Sequence, residues 1–180
     1  MTPGDPTGER QLDPRDRAIV CAQLGRHPRG AVAVAWRCPC GKPGVVMTAP
    51  QLPDGTPFPT LYYLTCPQAV KALSTLEGSG LMAEMTTRLG EDPALARSYT
   101  EAHRSYLAER EALGRELGLE TTSIAGFSAG GMPERVKCLH ALAAHALAKG
   151  PGVNPLGDEA VAAMGEVWRR PCLRPESEVI

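Results

Sequence analysis

Short apolar runs of strand type occupy the first third of the chain, and helical periodicity takes over after residue 66. Residues 31–37, Ala-Val-Ala-Val-Ala-Trp-Arg, alternate and are rich in Val, which predicts a strand. Residues 45–48 predict its return, and residues 61–65, Leu-Tyr-Tyr-Leu-Thr, a third strand. Between them the three prolines of 53–59 and the Asp54-Gly55 pair exclude regular structure.

Helix starts are marked by capping pairs. Asp13-Pro14 opens a helix that Gly25 stops, with Ile19 and Ala22 as its inner face and Cys21 a small apolar group. Cys66-Pro67 opens another, running to about residue 77. Ser79 caps a short helix over 81–89. Asp92-Pro93 caps a long one to about 117, whose stripe is Leu95, Tyr99, Ala102, Tyr106, Leu113 and Leu117. Residues 118–131 read as loop. Residues 130–150 read as a central helix with Pro133 in its first turn, and Asp158 caps a last one to about 168. The pattern predicts an α+β fold, a small three-stranded β-sheet flanked by five or six α-helices. It spans 13–169, with residues 1–12 a disordered tail and 170–180, Cys172 included, a flexible one.

Composition narrows the function classes. The 180 residues are 43% hydrophobic and 22% charged with a net charge of −1, so no bulk field draws the chain to nucleic acid. No apolar run approaches the roughly 20 residues of a membrane span. The polar N-terminus MTPGDPTGER lacks a secretory pattern, which predicts a cytoplasmic protein. Six cysteines in that compartment are expected free, metal-bound or reactive rather than paired.

The candidate chemistry lies in those thiols. If the strands form a meander, the first and third run the same way and deliver Cys38 and Cys66 to one rim. A helix laid across that rim could add Cys138 and one histidine, a three-sulfur, one-nitrogen zinc set. Cys138 and His145 are about 10.5 Å apart along a helix at 1.5 Å per residue, too far for one ion. Cys138 can join His140 only if the helix begins near Leu139 and leaves Cys138 extended. Cys66 carries a second possibility. A thiol at a helix N-terminus feels the positive end of the dipole, which favours the thiolate nucleophile. The glycine-rich stretch 126–137, with Arg135 and Lys137, could cradle an anion on free N–H groups, though it lacks a P-loop ending. His27, in a basic loop, has no thiol or acidic partner nearby in sequence.

Several stretches together resemble a known bacterial family. RCPCGKPGVVMTAPQLPDGTPFPTLYYLTCP, YTEAHRSYLAER and GGMPERVKCLHALAAHALAKGPGVNPLGDEA are similar to domain of unknown function 501, its actinobacterial branch in particular, over roughly residues 14–168. The resemblance implies no established activity. Genes of the family are neighbours of a septum-formation protein and an exopolyphosphatase. It implies thiols at Cys38, Cys66 and Cys138 and an imidazole at His140, with Cys40 left over. The leading expectation is therefore a cytosolic module stapled by one zinc through Cys38, Cys66, Cys138 and His140, which binds a protein partner or a small anionic ligand. The alternative is a small hydrolase or transferase using the Cys66 thiolate or a metal with an open position.

Overall fold

The computed structural model describes residues 12–173; the expected N-terminal tail, apart from Leu12, and the chain after 173 lie outside the described residues. Helix α1 (Pro14–Leu24) starts where Asp13 accepts the N–H groups of Arg15 (2.9 Å) and Asp16 (3.4 Å). It ends at Gly25, whose φ of 67° is left-handed. Strands β1 (Ala31–Arg37), β2 (Pro43–Thr48) and β3 (Tyr62–Leu64) form one antiparallel sheet in the order β1-β2-β3. The fold is α+β, with six α-helices around this sheet among the described residues.

Alternation along β2 splits the core in two. Val45 points into the larger one, while Val46 joins Leu12, Val20 and Ala31 under α1. The inner face of α1 is thus Asp16 and Val20, rotated by about 100° around the helix from the expected Ile19 and Ala22. The Asp16 carboxylate turns inward because Arg37 grips it through two hydrogen bonds, at 2.9 and 2.5 Å.

Helices α2 (Pro67–Glu77) and α4 (Pro93–Leu117) start where the sequence predicts, α4 where Asp92 accepts from Ala94 and Leu95. Helix α3 (Leu81–Glu91) starts instead at the left-handed Gly80, because the expected cap Ser79 donates its hydroxyl back to Leu76 C=O at 2.7 Å. Arg110 of α4 is almost fully buried. Its guanidinium donates to the carbonyls of Pro59 (2.9 Å), Ile124 (2.7 Å) and Phe127, pinning the 118–131 loop to α4. The hydroxyl of Tyr106 accepts the Leu61 N–H at 2.6 Å and ties α4 to the sheet.

The central helix is shorter than its sequence suggests. Residues 133–138 turn and extend, and α5 (Leu139–Lys149) begins only after Cys138. It lies across the sheet and against α2, and α6 (Pro155–Ala163) packs on it. The last helix starts at Asn154, which caps Gly157 N–H at 2.9 Å, and stops before a 3-10 turn at Val167–Arg169. Asp158 therefore sits inside a helix that Asn154-Pro155 opens. Gly157 is where α6 touches α5: a Cβ there would stand 2.3 Å from the Leu142 carbonyl oxygen. No helix of the described residues is long and apolar enough to cross a membrane.

Candidate metal centre

Three local features place a group of thiols at one end of the sheet. The first is the turn after β1. Gly41 N–H donates to Cys38 C=O at 2.8 Å and Cys38 N–H to Lys42 C=O at 3.0 Å, with Gly41 left-handed at φ 83°. That closes a tight loop carrying Cys38 and Cys40. The second is the junction of β3 and α2. Gly44 C=O accepts both Thr65 N–H (2.9 Å) and Cys66 N–H (3.3 Å), so Cys66 sits as the extended residue opening α2. Gly44 has no room for a side chain, because a Cβ would lie 2.5 Å from the Trp36 ring. The third is the segment after α6, where Trp168 packs on Trp36 with ring centroids 5.2 Å apart and carries the chain back to Cys172.

Cys172 Sγ lies 3.4 Å from Cys40 Sγ and 3.8 Å from Cys38 Sγ. The three sulfurs are all within 4.8 Å of one another. Cys66, fully buried, faces Cys172 from the start of α2 and stands outside that trio. Four thiols thus meet, two of which the sequence leaves aside: Cys40 as surplus and Cys172 as part of a loose tail. Cys172 is in fact 6% exposed.

The electrostatics distinguish these thiols. The thiol of Cys172 and the N–H groups of Ala69 and Gln68 in the first turn of α2 hold Cys66 below the usual thiol range, against the opposing effect of burial. Burial, with the neighbouring Cys40 thiol, pushes Cys38 up to about 12. Cys172 is pushed upward, chiefly by its bond to Cys66 and then by burial. Gln23 Nε2 donates to Cys172 Sγ at 3.5 Å and to Pro43 C=O at 2.7 Å.

Cys138 and His140 do not reach this group. They sit at the start of α5 beside Glu77, the last residue of α2, whereas Cys66 precedes the first. Eleven helical residues at about 1.5 Å each separate the two ends of α2 by roughly 16 Å. The expected set of Cys38, Cys66, Cys138 and His140 is therefore divided between two places. The condition for pairing Cys138 with His140 is met, since Cys138 is extended at φ −153° and ψ 110°. His140 Nδ1 lies 2.9 Å from Glu77 Oε1 and 4.0 Å from Cys138 Sγ, and its Nε2 bonds Val70 C=O at 3.1 Å. The Cys138 contact, then the Glu77 carboxylate, raise His140 to about 9 against the opposing effect of burial.

These matched stretches decide the kinship. The family model described as "Protein of unknown function (DUF501)" matches residues 34–162, well over half of the chain. The chain belongs to this family. Comparison with curated proteins and with solved structures gives no match. Of the four thiols, Cys38, Cys40 and Cys66 fall inside the DUF501 match, and Cys172 lies beyond it.

Other sequence candidates resolve differently. Arg135 and Lys137 are exposed, and their own N–H groups are already taken. Arg135 N–H bonds Gly131 C=O (3.1 Å), Lys137 N–H bonds Gly130 C=O (2.7 Å), and the first N–H of α5, at Leu139, goes to Glu77 (2.7 Å). Cys21 is only half-buried, with its sulfur 3.5 Å from His27 Nδ1, a partner one turn and a loop away that residue order conceals. His145 is fully buried, stacked on Tyr62 at 5.8 Å and edge-on to Tyr106 at 5.1 Å.

Proposed function

We propose that this DUF501 protein is a zinc-stapled binding module in which Cys38, Cys40, Cys66 and Cys172 hold one zinc ion. The supporting observation is the spacing of the sulfurs. With Zn–S bonds of about 2.3 Å, a tetrahedral site sets its sulfurs about 3.8 Å apart. The Cys38–Cys172 and Cys40–Cys172 separations of 3.8 and 3.4 Å already match that edge. Cys66, bonded to Cys172 from the start of α2, would complete the set. The donors are four thiols, and Gln23 supplies an N–H···S bond of the kind that orients metal ligands.

Four sulfur ligands leave no position for water, so this zinc would be structural. It would tie β1, the start of α2 and the chain after α6 together, and its binding energy would count as folding energy. The alternative of a Cys66 nucleophile finds less support, because Cys66 is 0% exposed and its neighbours are thiols, with no imidazole to act as base. Binding of an anionic partner is supported by a cleft of about 320 Å³ with an apolar floor, including Leu52, Phe58 and Tyr63, flanked by Arg26 and Arg29.

Elemental analysis of the full chain purified without a histidine tag tests the metal. About one zinc per chain at this centre is expected, lost in Cys66→Ala and Cys172→Ser. A metal-free protein carrying a Cys40–Cys172 disulfide would overturn it.

A further inference from the structure

We infer that Glu77, Cys138 and His140 form a second divalent-metal site, separate from the four thiols and open to solvent on its fourth position. Its ligand would be a zinc-class cation carrying water or a small anion. The three donor atoms lie within 4.8 Å of one another. Mixed oxygen, nitrogen and sulfur ligands with bonds of about 2.0–2.3 Å place donor atoms roughly 3.3–3.7 Å apart. The observed 2.9 Å between His140 Nδ1 and Glu77 Oε1 and 4.0 Å between Nδ1 and Cys138 Sγ bracket that spacing.

The imidazole is already held as a ligand. Its Nε2 bonds Val70 C=O at 3.1 Å, with Ser74 Oγ at 3.3 Å, which turns Nδ1 toward Glu77 and Cys138. Metal-ligating histidines are oriented in the same way, by a carbonyl on the other ring nitrogen. In the metal-free chain a proton occupies the place between Nδ1 and Glu77 Oε1. Metal binding would release that proton and the one on the Cys138 thiol, and form Nδ1–metal, carboxylate–metal and thiolate–metal bonds.

The site stands on firm backbone. Glu77 ends α2, Cys138 immediately precedes α5, and His140 is the second residue of α5. Unlike the thiol cluster it is only half-buried, with the Glu77 and His140 side chains 25% and 24% exposed. Three protein ligands at a partly exposed position are the arrangement of a zinc that keeps a water and polarises it, whereas four buried sulfurs are not. A plain helix cap explains only the Leu139 N–H bond to Glu77. It does not account for the thiol and the imidazole converging on the same carboxylate.

Cobalt titration of the metal-stripped full chain tests this independently of the first site. Wild type is expected to take up about two equivalents with thiolate-to-cobalt charge-transfer absorption, and C138S and H140Q about one. C172S should lose the other equivalent, and its remaining cobalt spectrum should shift when azide is added, reporting the open position. Glu77→Gln keeps an acceptor for Leu139 N–H, so it should fold yet bind the second cobalt at least about 10-fold more weakly. Unchanged stoichiometry in folded C138S and H140Q would overturn the site. No azide response in C172S would overturn its openness. Failure of the four-thiol centre alone would appear as loss of the C172S-sensitive equivalent with the C138S-sensitive one intact.

Discussion

The thiols of Cys40 and Cys172 stand 3.4 Å apart although 132 residues separate them along the chain. Gln23 from α1 donates to the same Cys172 sulfur, so α1, the turn after β1 and the end of the described chain meet at one atom. If a zinc closes this junction, the segment after α6 is a structural part of the fold.

Cutting the chain after residue 169 should then behave like Cys172→Ser. Both should lose the zinc and melt several degrees lower, whereas Cys21→Ser should keep the metal and its melting temperature. Elemental analysis with thermal unfolding on the three proteins checks this, and an unaltered melting curve for the truncated chain would count against the staple.

Arg110 satisfies three loop carbonyls while almost wholly buried. Arg110→Ala removes all three bonds and leaves a cavity, so stability should fall by about 3–5 kcal/mol. Proteolysis between residues 118 and 131 should quicken in the same variant, because that loop loses its anchor. Denaturant titration and limited chymotrypsin digestion, which cuts after the exposed Phe127, read the two effects.

Gly157→Ala should cost about 2 kcal/mol or more, since the added methyl meets the Leu142 carbonyl and the Ala146 side chain. Helix propensity alone would predict a gain of about 1 kcal/mol from the same change. The sign of the measured change therefore reports whether α5 and α6 approach as closely as described.

His145 sets a pH dependence. Burial depresses its imidazole to about 4, against the opposing pull of Glu109 and with help from Lys149, while the flanking Tyr62 and Tyr106 stay neutral. Asn154 Nδ2 donates to its Nδ1 at 3.2 Å, a bond that the neutral ring accepts. The unfolded chain takes up the proton near pH 6.5, so it gains protons first as pH falls. Stability should therefore decline from about pH 6.5 and level off below about 4, by on the order of 3 kcal/mol in all. An NMR titration of the His145 ring that shows ordinary behaviour near 6.5 would contradict this burial.

Glu77 carries both the Leu139 N–H and the His140 ring in the metal-free chain. Glu77→Ala should destabilise that form by about 1–2 kcal/mol, and Glu77→Gln by less, as chemical denaturation would show.

Helix and strand positions were largely legible in the sequence because their causes are local. Asp13, Cys66 and Asp92 each precede a proline at the first helical turn, and Gly25 and Gly118 supply the left-handed residues that end α1 and α4. Those interactions span four residues or fewer, so the order of residues already contains them. The central helix was harder. Gly130 and Gly131 have left-handed φ values of 68° and 94°, and their carbonyls take the N–H groups of Lys137 and Arg135, which delays α5 to Leu139.

Which sulfurs meet was decided only in three dimensions. A thiol carries no periodic signature, and its partners depend on where whole elements pack. The meander brought Cys38 and Cys66 to one rim, as strand direction dictates, but the length of α2 kept Cys138 and His140 from that rim and gave them Glu77 instead. Cys172 entered the cluster because Trp168 packs on Trp36 and turns the chain back. Short-range capping and alternation made the elements readable, while contacts between residues more than a hundred positions apart required the folded chain.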